Sequence, residues 1–259
     1  MYLAMINVML YLAITASIFA TSILSGVLGM AGGMVLMAIL VLSLGVGPSM
    51  VLHGVVQGAA NGSRAFFLRE YLRYKILPPY LVGSGIAVLG FSLLMFVPNA
   101  SVVLILVGLF PWLARITKKL QGLDITQPLT AIVCGFTVTC AQFLAGASGP
   151  ILDIFYLKSP LSRQEIVANK ALTQTLGHVF KTLYYGFVVT QIVELTNPTV
   201  IALPGWFFAL GMVTAIAGTK VGTKLLMRWN DSALIAASQR IILTIATLCI
   251  FQGIWELVS

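Results

Sequence analysis

The stretch Gly26-Val27-Leu28-Gly29-Met30-Ala31-Gly32-Gly33 decides the fold, because its layout recurs. A second glycine-rich break, Gly146-Ala147-Ser148-Gly149-Pro150, follows 116 positions later when Gly33 is set on Gly149. Without gaps, that offset carries Ala31 onto Ala147, Val51 onto Val167, His53 onto Asn169 and Gln57 onto Thr173. Strict identity is low, and the shared layout says more. In each copy the break precedes a short segment, a polar turn and a helix with polar residues at helical spacing. This pattern reads as an internal duplication that builds one membrane-embedded site.

Composition sets the class. Of 259 residues, 59% are hydrophobic and only 8% are charged, and the mean hydropathy is +1.01. A soluble domain carries about 25% charged residues, so this chain cannot cover its surface in water and is read as an all-α polytopic membrane protein. No stretch is polar and long enough to form a separate soluble domain. The net charge of +8 does not point to nucleic acid, because the basic residues sit in short loops between apolar spans, as the positive-inside bias produces. Cys134, Cys140 and Cys249 lie within apolar spans and suggest neither disulfides nor a metal site. No basic region precedes the first apolar run, so a cleaved signal peptide is not expected.

Spans are expected at about 3–28, 50–67, 79–97 and 101–114 in a first repeat (1–121), and at 127–145, 163–189, 199–219 and 232–257 in a second (122–259). A hydropathy plot should register these eight and miss two short segments, 33–44 and 150–157, because a full crossing needs about 20 residues. Ser49 is a candidate helix cap, and Ser162 with Glu165 has the spacing of a capping box. The loops after 67, after 114, around 158–163 and after 219 hold nearly all of the basic residues; the opposite loops hold none. That asymmetry requires each short segment to change the side of the chain. Each repeat then has five segments, an odd number, so the second is inverted relative to the first. With the basic loops in the cytoplasm, both termini face outward. The loop through Glu194, Asn197 and Pro198 falls on the outer side, and Trp206, Trp229 and Trp255 near span ends suit the interface.

The two breaks are candidate site walls, because irregular backbone at membrane depth is tolerated only where it is buried or lines a cavity. Helices beginning near Gly33 and at Gly149-Pro150 would aim unpaired N–H groups inward and favour an anion. Close helix packing at small residues is the competing reading of the same glycines. His53, Gln57, Asn61 and Arg64 share one face of the first polar helix. Lys170, Gln174, His178 and Lys181 repeat that spacing in the second, with Asn169 and Thr173 beside them. Polar stripes of this kind face the bundle interior or water. Lys170 lies well inside its span and is the favoured anion ligand. Lys181 adds charge, although Arg64 and Lys181 lie near enough to helix ends to reach water. Asp153, in the short segment 150–157, is read as a partner of Lys170, a proton relay or a helix-end acid. There is no metal-ligand cluster, nucleophile elbow or carboxylate pair, so neither an enzyme nor a cofactor is expected.

The two breaks resemble those of the sulfite exporter TauE/SafE family of membrane permeases. The likeness rests on Gly26-x-x-Gly29-Met-Ala-Gly32-Gly33 with the Gly45-to-Ser49 turn, and on Ala145-Gly146-Ala-Ser-Gly149-Pro150 with Leu161-Ser-Arg-Gln-Glu165. It covers most of the chain. The first break departs from the family pattern in reading Met-Ala-Gly-Gly, and the second in carrying Ser148 where glycine is usual. The prolines usual in the short segments are missing from 34–44 and 151–157. The resemblance implies a permease, often an exporter, of a small sulfur-containing anion such as sulfite or an organosulfonate, in the plasma membrane of a bacterium. A homo-oligomer is compatible with it. A carrier of another small anion, such as a carboxylate, has the same architecture. A membrane enzyme or a non-transporting subunit remains an alternative from another class.

Overall fold

The computed structural model describes residues 2–28, 31–117, 123–189, 203–228 and 232–259. Gly29 and Met30 of the first break, Lys118, Lys119, the loop through Glu194, Asn197 and Pro198, and Trp229 lie outside the described residues. The chain is an all-α polytopic membrane protein, with no strand among the described residues. Its helices are α1 (Tyr2–Leu28), α2 (Ala31–Leu44), α3 (Val46–Phe67), α4 (Leu77–Leu94), α5 (Ala100–Thr117), α6 (Pro128–Ala145), α7 (Gly149–Tyr156), α8 (Arg163–Leu183), α9 (Gly205–Arg228) and α10 (Ser232–Val258). A π-helical turn, Tyr184–Val189, extends α8.

Among the described residues, five helical stretches are long and apolar enough to cross a membrane: Val8–Val27, Tyr74–Leu94, Pro128–Ala145, Gly205–Leu225 and Gln239–Val258. Helices occupy all eight expected spans, but three of them fall short of that mark. α3 and α8 carry the polar stripes, and the apolar part of α5 is the short stretch Ala100–Ile116. The outer faces of the long helices are apolar, with Leu93, Leu94, Phe251 and Trp255 exposed, as a lipid solvent requires.

Four helix pairs make the most extensive contacts: α1 with α9, α4 with α6, α5 with α10, and α3 with α8. Each pair joins one half of the chain to the other. Exchanging the halves turns the first pair into the second and leaves the last two unchanged, as a two-fold relation demands. Glycines set these crossings. Gly26 meets the backbone of Gly222, Gly83 that of Ile132, Gly135 that of Tyr80, and Gly108 that of Ala246. Backbones approach this closely only where no Cβ intervenes. For Gly26, therefore, the packing reading is the correct one.

The same contacts give the helix directions. Gly54, Gly58 and Gly62 on α3 face Thr182, His178 and Thr175 on α8, so these two equivalent helices run antiparallel. α5 and α10 do the same, with Gly108 against Ile250 and Gly253 against Ser101. On α1 and α9, Gly218 packs on Phe19 and Gly222 on Gly26, so this pair is parallel. Antiparallel equivalents identify the halves as inverted repeats. The short α7 brings the chain back: Leu123, which leads into α6, bonds through its N–H to Ile154 O and through its carbonyl to Lys158 N, both at 3.3 Å. At 1.5 Å per residue, α7 is only about 12 Å long, so it reverses the chain without spanning the bilayer alone.

The basic loops meet at one end. Arg73 pairs with Glu165, Lys158 bonds to Leu123, and the Lys220 ammonium lies 5.8 Å from the Phe67 ring centroid. Ser162 caps α8 in a full capping box with Glu165. The Ser162 N–H donates to the Glu165 carboxylate at 2.7 Å, and Arg73 pairs with the same group. Ser49 is not a cap: α3 begins earlier, after Gly45 at φ +74°, and the Ser49 hydroxyl bonds to Gly45 O inside the first turn. α9 runs on to Arg228, so Lys220 and Lys224 are helical residues rather than loop residues.

Candidate functional site

A small cavity of about 20 Å3 lies between the two breaks. Its wall includes Gly33, His53, Gln57, Asn61, Gly149, Gln174 and His178, all expected from the sequence. Ser25, Arg64, Ser148 and Thr219 complete its polar lining. Both broken helices present their first turn to it. Gly149 is the first residue of α7 and Gly33 the third described residue of α2; the Gly149 N–H, at the start of its helix, has no acceptor within it. The Gly33 carbonyl is occupied, because it accepts from His53 Nε2 at 2.7 Å.

Several donors at the cavity are idle. Ser25 Oγ, Gln57 Nε2 and Thr219 Oγ1 are buried without any hydrogen-bond partner, although each residue is more than nine-tenths buried. A buried polar group left unsatisfied costs about 1–3 kcal/mol, so three beside one cavity mark it as a place where a polar ligand belongs. Arg64 contributes charge, and among the described residues no carboxylate lies within ion-pair reach of it. The acids of known placement are engaged or distant. Asp153 pairs with Lys170, Glu165 with Arg73, Asp124 accepts from Thr126, Glu256 accepts from Gln252, and Glu70 is exposed in the loop after α3.

Behind the cavity wall a hydrogen-bonded chain crosses between the halves. Lys181 Nζ, with no exposed surface, donates to Gly146 O at 2.7 Å and to His53 Nδ1 at 2.8 Å. Because His53 Nε2 faces the Gly33 carbonyl, it carries the proton and Nδ1 accepts. The chain thus runs from the second break to the first. The His178 ring centroid lies 5.4 Å from that of His53, and Gln142 Nε2 donates to His178 Nδ1 at 2.6 Å. Gly146, at φ +69°, caps α6 in the left-handed conformation that turns its carbonyl toward Lys181.

The remaining expected residues sit elsewhere. Lys170 does not line the cavity; it pairs with Asp153 on α7. Asn169 ties α8 to the loop after α3, accepting from Arg73 N at 3.0 Å and donating to Tyr71 O at 3.3 Å. The Thr173 hydroxyl bonds to Asn169 O within its own helix. Pro150 is buried in the first turn of α7, outside the cavity lining. Lys181, expected to add charge to the site or to reach water, lies outside the cavity lining and is fully buried.

Sequence reasoning weighed Arg64 both as a source of positive charge and as a helix-end residue that reaches water, and missed Ser25, Gln142, Ser148 and Thr219. Ser25 and Gln142 had a signal: each lies in the last helical turn before a break. Thr219 had none, because only the α1–α9 crossing brings it to the cavity. No family model, curated protein or solved structure matches this chain.

Proposed function

We propose that the chain is a secondary permease that exports a small sulfur-containing anion, such as sulfite or an organosulfonate. The observation that carries this reading is Arg64 in the cavity wall, without a carboxylate partner among the described residues and beside three idle buried groups. A compact oxyanion spreads its charge over several oxygens, each able to accept from such donors. The helix starts at Gly33 and Gly149 favour the same charge. The likeness of both breaks to the TauE/SafE permeases supports sulfur anions over carboxylates. Transport then proceeds by rocking one half against the other around the fixed site. The cluster of basic loops belongs in the cytoplasm, with both termini outside, in the plasma membrane of a bacterium.

Flux of labelled thiosulfate into proteoliposomes tests the reading, with competition by sulfite, sulfate, alkanesulfonates and simple carboxylates. Saturable flux competed by sulfur anions is the expected result. Competition by carboxylates alone changes the substrate and keeps the architecture. Failure of every anion to move or compete in a folded preparation overturns the anion-carrier reading.

A further inference from the structure

Lys181 is the most deeply buried charge-bearing side chain near the cavity, and its bonds can be counted. Among the described residues it has two acceptors, Gly146 O and His53 Nδ1. A neutral amine has two N–H donors and is fully satisfied there. An ammonium has three, so one would be left over, and a full buried charge would stand without a counter-ion. That combination is strongly disfavoured.

The surroundings offer no relief. α3 presents His53, Gln57 and Arg64, and α8 presents His178; α6 presents Gln142 and the Gly146 carbonyl, and α2 the Gly33 carbonyl. α1 and α9 add the hydroxyls of Ser25 and Thr219. The acid of α7, Asp153, is paired with Lys170. None of these groups is an anion available to Lys181.

Arg64 therefore supplies one fixed positive charge at the cavity, enough for a monoanion. A dianion needs a second. We infer that Lys181 takes up one proton when a dianion occupies the cavity, so that the carrier moves a dianion together with a proton. The inference rests on the anion-carrier reading and adds the coupling ion to it. His53 links the two sites: its ring lines the cavity while its Nδ1 holds Lys181. The charge on Lys181 and the charge on the ligand then stabilise each other, and by linkage each raises the affinity for the other.

The experiment adds thiosulfate, a dianion, or methanesulfonate, a monoanion, to purified full-length protein in weak buffer with a pH indicator. Neither salt exchanges protons near neutral pH. Binding is followed in parallel by calorimetry. Saturating thiosulfate should remove about one proton per protein from solution, and its dissociation constant should rise about tenfold per pH unit through that range. Methanesulfonate should bind with no proton uptake. In Lys181→Met, thiosulfate should bind more weakly and take up no proton.

Thiosulfate binding without proton uptake in the unaltered protein overturns the inference and leaves the carrier intact. Binding of the monoanion alone does the same. Proton uptake that persists in Lys181→Met overturns the assignment to this residue. Failure of both salts to bind removes the anion site and the coupling together. Because the unaltered protein decides the stoichiometry, a variant that fails to fold does not rescue the inference.

Discussion

Lys181 on α8 donates to the carbonyl oxygen of Gly146 across 2.7 Å. The bond fastens the second polar helix to the second glycine break, and it depends on the backbone turn at Gly146. That residue has φ +69°, in the left-handed region where a Cβ costs roughly 1–2 kcal/mol.

Gly146→Ala and Gly45→Ala form a matched comparison. Gly45 has a similar φ of +74° with open space around its missing Cβ, whereas a Cβ on Gly146 would crowd the sulfurs of Met37 and Met50. Both variants should lower the thermal midpoint in detergent, and Gly146→Ala should lower it further. Equal midpoints would show that the methionines give way freely.

Arg64→Gln keeps a polar side chain and removes the charge. A hydrogen bond to a charged group contributes about 1.5–3 kcal/mol, so anion affinity should fall about ten- to a hundredfold. Calorimetry on a variant with an unaltered elution profile gives the answer. Unchanged affinity would take Arg64 out of the site.

Gly83 and Gly90 lie on the same helix with opposite surroundings. A Cβ on Gly83 would overlap the Ile132 carbonyl, while one on Gly90 would meet nothing within 4 Å. Gly83→Ala should destabilise by about 1–3 kcal/mol through overpacking, and Gly90→Ala should stabilise by up to about 1 kcal/mol. Thermal unfolding of the pair separates a packing glycine from a tolerated one.

Sidedness is checked with cysteines placed at Tyr74 and Asn99 after Cys134, Cys140 and Cys249 are replaced. Both positions are exposed, at opposite ends of α4. A membrane-impermeant maleimide should label position 99 in intact cells and position 74 only after lysis. The reverse pattern would turn the molecule over.

What the sequence disclosed was one-dimensional: the paired breaks, the odd number of segments per half and the polar stripes. These follow from glycine placement and charge asymmetry, and the antiparallel α3–α8 contact agrees with them. Depth was not legible. Lys170 lies mid-span and Lys181 nearer the helix end, yet Lys170 finds Asp153 on α7 while Lys181 is sealed beneath α6. Which of two lysines is buried depends on the neighbouring helices, and the stripe carries no information about them. Arg64 was left open for the same reason: its nearness to the helix end allowed either a source of charge or contact with water, and its place in the cavity wall, half-buried, depends on the neighbouring helices.

The cross-half pairing has a consequence for how the protein is made. α1 leaves the ribosome long before its main partner, α9, which begins at Gly205. α5 likewise waits for α10, which begins at Ser232. Close contact surfaces such as Gly26 and Gly108 must therefore be held in lipid or by an insertion chaperone until most of the chain has been synthesised. Assembly is late and non-local, so a truncated first half should be degraded rather than accumulate as a stable half-carrier.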